Sequence, residues 1–333
     1  GANGANGANG SALLIGTMED DEGANMFWSP EVGGGLYSDG MDYIAKGWKI
    51  TNCKAKRGGG AYVKMPAKGI FDQVEFIKNA ADIKGGGLET EEGSFVKISR
   101  SKFEANTAGQ MGGAIAVLAQ TSKDSALHVV STTMNSNQAP SGGAMYISFS
   151  PQLTIDIAAS TFNNNLATSI GGGAICALGG ASCAEQPCEF SIDGSVFKDN
   201  RSPFGSGGSL LLDKSDASVT KSSFVGTATI DEKGKDCTNA RRNFEFGTLD
   251  NGETPDVKCD LRLKNAMQGG AIAVNTMQSI LKIDTVLIKG LLASFGGGLY
   301  TSKASTCKMN NVTFDSNEAK FGGAFQGVQG SVL

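Results

Sequence analysis

The sequence holds a single histidine, His128, and no Cys-x-x-Cys pair. Zinc sites built on those ligands are disfavoured. A Ser-His-Asp triad would have to centre on His128, which lies in Ala-Leu-His-Val-Val, a plain strand pattern. Charged residues are 19% of the chain, below the usual share of about a quarter, and the net charge is −4. Lysines and arginines are scattered, so the basic stripe that a nucleic-acid partner needs is missing. No apolar run approaches the ~20 residues of a membrane-spanning helix. The chain opens at Gly1, and neither a signal peptide nor an anchor is read from it. No stretch is long and amphipathic enough for a helix, which disfavours helical and leucine-rich repeats.

Glycine is abundant instead, 47 of 333 residues, roughly twice its usual share. That excess favours tight turns between repeated strands. Length alone would suggest two domains, but solenoids exceed that size as single units. The opening Gly-Ala-Asn triplets lack the proline of a collagen segment and are read as part of a flexible leader over 1–25. Residues 26–333 are read as one domain.

Self-similarity is plain. A Gly-Gly pair followed by a small or apolar residue recurs in boxes ending at Leu36, Ala61, Leu88, Ala114, Ala144, Ala174, Ser209, Ala271, Leu299 and Ala324, at steps of 25, 27, 26, 30, 30, 35, 62, 28 and 25. Some seven to ten residues upstream of most boxes lies a second element, an aromatic or apolar residue, two variable ones, then asparagine. It appears as Phe76 to Asn79, Phe103 to Asn106, Met134 to Asn137, Phe162 to Asn165, Phe197 to Asn200 and Phe314 to Asn317, with Leu263 and Asn265 a shifted form. Runs such as Ala114-Ile-Ala-Val117 and Ala144-Met-Tyr-Ile147 suit strands. A coil of 25 to 30 residues holding two or three such strands pairs each with its counterpart one coil on, at ~4.8 Å per coil. The fold expected is all-β, a right-handed parallel β-helix of about ten coils.

Physical reasons for the recurrence follow. Glycine tolerates positive φ and close backbone approach, so the pair makes the corner into the next strand. Phe76, Phe103, Phe162, Phe197 and Phe314 are expected to stack as an aromatic ladder inside the cylinder. Asn79, Asn106, Asn165, Asn200 and Asn317 are expected to satisfy turn backbone groups and one another. Both motifs are therefore assigned to folding. Which face of the Ala-Ile-Ala-Val strand points inward is open, since both alternate sets are apolar or small.

Phe103-Glu-Ala-Asn106 followed by Gly112-Gly113-Ala114-Ile115, and Phe162-Asn-Asn-Asn165 followed by Gly172-Gly173-Ala174-Ile175, resemble the repeats of chlamydial polymorphic outer-membrane proteins and of related protist and algal surface proteins. The resemblance runs over roughly 33–327. It implies a β-helical passenger displayed at the cell surface and acting in adhesion. The chain departs from the bacterial proteins in showing no membrane β-barrel before Leu333.

The step of 62 is expected to hold one extra coil and a polar excursion, an insertion at about 226–262. Phe224-Val-Gly-Thr227 resembles a degraded Phe-x-x-Asn box. Inserted loops of repeat proteins commonly carry binding. Cys183 with Cys188, and Cys237 with Cys259, are spaced to close small loops by disulfides, which suits an oxidising compartment. Cys53, Cys176 and Cys307 are read as packed thiols. Sequons fall at Asn9, Asn200 and Asn311. Asn200 belongs to the inward ladder, which leaves Asn311 as the glycosylation candidate.

Many β-helices cleave acidic polysaccharides, chemistry that needs paired carboxylates in a hydrolase, or a basic residue with acid-bound calcium in a lyase. Glu19, Asp20, Asp21 and Glu22 form a charge run; Glu89, Glu91 and Glu92 follow a glycine corner, where they can line an exterior groove; Asp213 and Asp216 are close in sequence; and Arg262-x-Lys264 lies apart from all three. No Asp-Asp pair inside a repeat strand accompanies them. The reading is a non-catalytic extracellular scaffold without cofactor or metal, either an adhesin or a structural subunit of a surface assembly. Its expected partners are other chains, met through the β-helix ends or the 226–262 loop, and cell-surface glycans. Exposed strands at the ends call for more polypeptide or a stacked neighbour. The alternative is a polysaccharide-binding or polysaccharide-cleaving β-helix.

Overall fold

The computed structural model describes residues 33–40, 42–64, 68–91, 93–118, 125–180, 183, 188–226, 266–275, 279–302 and 305–328. Each coil begins with a glycine in the left-handed region, φ between 57° and 67° from Gly33 to Gly322. The glycine after it has a different task. A Cβ on Gly173 would lie 2.1 Å from the Gly208 carbonyl oxygen of the next coil, and one on Gly113 would lie 2.3 Å from that of Gly143. One glycine turns the chain and the second lets successive coils stack.

The corner leads into the first wall, ten parallel strands running from Leu36–Asp39 to Phe325–Gly327. Register advances one box per coil, so that Ile115 pairs with Leu88 behind it and Met145 ahead. The chain then crosses a second wall in two strands, such as Phe95–Ser99 and Lys102–Glu104, separated by the left-handed Arg100. A third wall of nine strands, from Lys54–Arg57 to Glu318–Phe321, returns it to the next glycine. The result is a parallel β-solenoid of about 9 turns, without α-helix among the described residues. Most coils hold four short strands, rather than two or three, because one left-handed residue splits the second-wall run; the last two coils cross that wall in the single strands Ile280–Lys289 and Thr306–Asp315.

The step of 62 holds no extra coil among the described residues. The Ser209 N–H donates to the Ala271 carbonyl at 2.9 Å and Leu210 pairs with Ile272, which puts those boxes in successive coils. Body residues run to Gly226 and resume at Ala266; 227–265 lie outside the description. The boxes at Ser209 and Ala271 are one rung apart whatever the number of residues between them, which is why counting residues overshot by a coil.

Both faces of the first wall are buried. Leu88, Ile115, Met145, Ile175 and Ile272 point into the main core. The opposite row, Tyr146, Cys176, Leu211, Ala273 and Tyr300, is buried in an outward elbow where the first and third walls meet, packed against Met111 and Phe295. The two ends differ. In the first described coil Trp48, Ile50 and Cys53 are each 2% exposed, whereas in the last coil Phe314 and Phe325 are only half-buried.

Candidate functional site

The recurring motifs face inward. Phe76 stacks on Phe103 at 4.5 Å between centroids, Phe162 on Phe197 at 4.7 Å and Phe197 on Phe224 at 4.6 Å, all nearly parallel. Met134 fills the rung between Phe103 and Phe162, and Ile288 the one between Phe224 and Phe314. Phe224 is thus a full rung, while Leu263 and Asn265 lie outside the described residues. Asn79, Asn106, Asn137, Asn165 and Asn200 form a second buried column. Each amide oxygen accepts from the preceding coil and each amide nitrogen donates to a backbone carbonyl, as Asn106 does to Phe76 at 2.9 Å. The residue before each asparagine is left-handed, from Lys78 to Ser316. In the coil before the last described one Leu291 replaces asparagine, and its N–H donates to the Asn317 side chain at 3.1 Å.

A third column was missed in the sequence. Ser101, Thr132, Ser160, Ser195 and Ser222 are buried at the turn that splits the second wall. The Val74 N–H donates to Ser101 Oγ at 3.0 Å, and Ser195 N–H to Ser222 Oγ at 3.0 Å, while the Ser101 hydroxyl donates to Ser99 O at 2.8 Å. Its signal was present as a hydroxyl residue two positions before Phe103, Met134, Phe162, Phe197 and Phe224, with Val74 and Val312 in that place before Phe76 and Phe314, and it lengthens the motif in those coils to Ser/Thr-x-Phe/Met.

Outside the core, the acidic clusters separate. Glu89 does not line an open groove; it is fully buried in the elbow. Arg57 donates to it at 3.0 Å and to Glu91 at 3.1 Å, and Tyr62 donates to Glu91. Burial pushes the Glu89 carboxyl up to about 7, against the opposing pull of the Arg57 guanidinium. These groups are consumed by one another, apart from Glu89 Oε2, which has no partner among the described residues. Glu92 and the run Glu19 to Glu22 fall outside the description, as do Arg262 and Lys264. Asp213 ends a first-wall strand and Asp216 begins a second-wall strand, so they share no strand face. Asp216 accepts the Ile280 N–H at 2.6 Å, and burial raises its pKa.

His128 faces outward on the second wall, its Nδ1 3.0 Å from Asp156 Oδ2, and Ser191 donates to Asp156 Oδ1 at 2.6 Å. The carboxylate stands between serine and imidazole, whereas a triad requires the imidazole in the middle. Asp156, Ser191, Ser218, Lys282 and Lys308 occupy one column along the axis through successive register pairs. Two shallow depressions, of about 470 Å3 and about 290 Å3, lie along it and share Ser218.

Cys183 and Cys188 form a disulfide with Cα atoms 5.4 Å apart. Cys53, Cys176 and Cys307 are buried free thiols, and burial raises them to about 11, 12 and 12, which keeps them protonated and inert. Cys237, Cys259 and Asn9 lie outside the described residues. Asn200 is sealed in its column, while Asn311 is exposed in a left-handed turn. No group of three metal-ligating side chains occurs among the described residues.

Comparison with known families places residues 159–178 in the Chlamydia polymorphic membrane protein (Chlamydia_PMP) repeat. The matched stretch includes Phe162, Asn165 and the Gly172-Gly173 corner, so that repeat type is present here on a parallel β-solenoid. No curated protein and no solved structure matches the chain.

Proposed function

We propose that this chain is a non-catalytic scaffold displayed on the outside of a cell, serving adhesion or acting as a structural subunit of a surface assembly. The observation that carries the reading is where the recurring chemistry of the repeat goes. From Phe76 to Phe224, from Asn79 to Asn200 and from Ser101 to Ser222 the phenylalanine, asparagine and hydroxyl columns are buried within the rod, and the polar ones are hydrogen-bonded there. A repeat spent wholly on rigidity leaves an outer surface free to vary, as display requires. The matched repeat is named for a membrane protein of Chlamydia, and the Cys183–Cys188 disulfide suits an oxidising exterior. The polysaccharide-cleaving alternative has less support, since Glu89 is sealed against Arg57 and Asp213 and Asp216 lie on different walls.

The last described coil supports a partner in line with the rod. Its strands Thr306–Asp315, Glu318–Phe321 and Phe325–Gly327 pair on one side among the described residues. Phe314, Asn317 and Phe325 are partly exposed there, a surface that accepts a further coil of this polypeptide or of another. Cryo-electron microscopy of native, untagged material tests the reading. Rods docked end to end or within a larger surface object identify a structural subunit, and free rods on the cell exterior identify an adhesin. Rods recovered only from the cell interior would sink both.

A further inference from the structure

We infer that the outer face of the second wall, along Asp156, Ser191, Ser218 and Lys282, is a binding trough for a neutral glycan chain lying parallel to the rod axis. This deepens the surface-display reading and rests on it for the source of the ligand. The trough follows from side-chain size. Ser191 and Ser218 are short residues in adjacent coils, paired in register, and form a low floor. Longer side chains flank it on both sides: Glu189 on one column, Asp193 and Asp284 on the other. The two depressions meet at Ser218, so the space is continuous across five strands, or about 19 Å at ~4.8 Å per strand.

The lining chemistry selects the ligand. Floor hydroxyls and flanking carboxylates, with Thr220 and Asn310, present acceptors and donors at short intervals, which matches a chain rich in hydroxyl groups. A protein partner fits poorly. Neither depression is a deep aromatic pocket that would seat an anchor residue, and the strands from Leu153–Ala158 to Ile280–Lys289 are paired on both sides, so no edge is open there for strand addition. Charge decides between neutral and acidic glycans. The carboxylates of Asp156, Glu189, Asp193 and Asp284 outnumber the ammonium groups of Lys282 and Lys308, and Lys282 already lies 3.4 Å from Glu189. A polyanion would meet net repulsion along the middle of the trough.

The test is affinity electrophoresis of the full chain through gels containing laminarin, xylan, galactomannan or polygalacturonate. At least one neutral polymer is expected to retard the protein, and polygalacturonate is not. Ser191→Trp and Ser218→Trp fill the floor from the solvent side and are each expected to weaken that binding at least tenfold, while Thr133→Trp, exposed elsewhere on the same wall, leaves it unchanged. Thermal melting of each variant checks the fold; if a tryptophan variant fails to fold, the milder pair Glu189→Gln with Asp284→Asn is expected to give the loss. No retardation by any neutral polymer, retardation indifferent to these variants, or stronger binding to polygalacturonate would overturn the trough. New reducing ends are measured in the same samples. Cleavage would leave the trough standing and overturn the non-catalytic reading, whereas absent binding would overturn the trough and leave the scaffold intact.

Discussion

One oxygen of Asn106 accepts two hydrogen bonds from Asn79, from its backbone N–H at 2.9 Å and from its side-chain amide at 3.1 Å. The same double contact repeats from Asn106 to Asn137 and from Asn137 to Asn165, at 3.0 Å in each case. Each coil therefore depends on the next for its buried polar groups. Asn106→Ala strips both donors of Asn79 of their acceptor and leaves the Phe76 carbonyl without its amide partner. At roughly 1–3 kcal/mol for each buried group left unsatisfied, a loss of about 3 kcal/mol or more is expected. Urea unfolding followed by circular dichroism checks it, with the outward Asn135→Ala expected to change stability by about 0.5 kcal/mol or less.

Phe197 is sandwiched between Phe162 and Phe224, and all three are fully buried. Phe197→Ala is expected to cost about 3–5 kcal/mol. Phe204, 63% exposed on the third wall, gives the contrast, and Phe204→Ala should leave the unfolding midpoint nearly unchanged. Equal losses at the two sites would mean that the ladder is not the organising core.

The two kinds of glycine separate in the same way. Gly173→Ala drives a methyl into the Gly208 carbonyl oxygen at 2.1 Å, and only a backbone shift relieves it. Gly194 is left-handed, but a Cβ there meets nothing within 4 Å. Gly194→Asn should be tolerated, since asparagine accepts that conformation, whereas Gly173→Ala should lower the melting temperature sharply. Differential scanning fluorimetry of both variants decides it.

Glu89 makes stability depend on pH. Its folded pKa is raised to about 7, above the ordinary 4.5, chiefly by burial. The folded state thus holds a proton that the unfolded state has released. The favourable contribution is complete below about pH 4.5 and is lost as pH rises through about 7, a change of about 3 kcal/mol at 1.36 kcal/mol per pH unit. Glu89→Gln, neutral throughout, should flatten that decline in unfolding curves taken between pH 4.5 and 8. A variant declining as steeply as the parent would show that another group is responsible.

The fold was legible because its periodicity is carried by residues with few substitutes. A left-handed corner needs glycine, and a buried turn acceptor that also donates needs asparagine, so Gly112-Gly113 and Asn106 announce themselves. Ser101 and its column escaped because serine is common at surfaces and its spacing to Phe103 is short. The elbow was illegible for another reason. Sequence alternation tells which residues share a face of a strand, not whether a second wall lies over that face, and so Glu89 was placed on a groove when it is sealed beneath Arg57. The trough depends on Ser191 and Ser218 being aligned across coils of unequal length, which only the register reveals.

The most direct test of the account is immunogold labelling of intact, unpermeabilised cells that produce the chain, with antibodies raised against the folded rod. Gold along the outer surface is the expected result. Label that appears only after permeabilisation would contradict display outside the cell, and with it the scaffold reading.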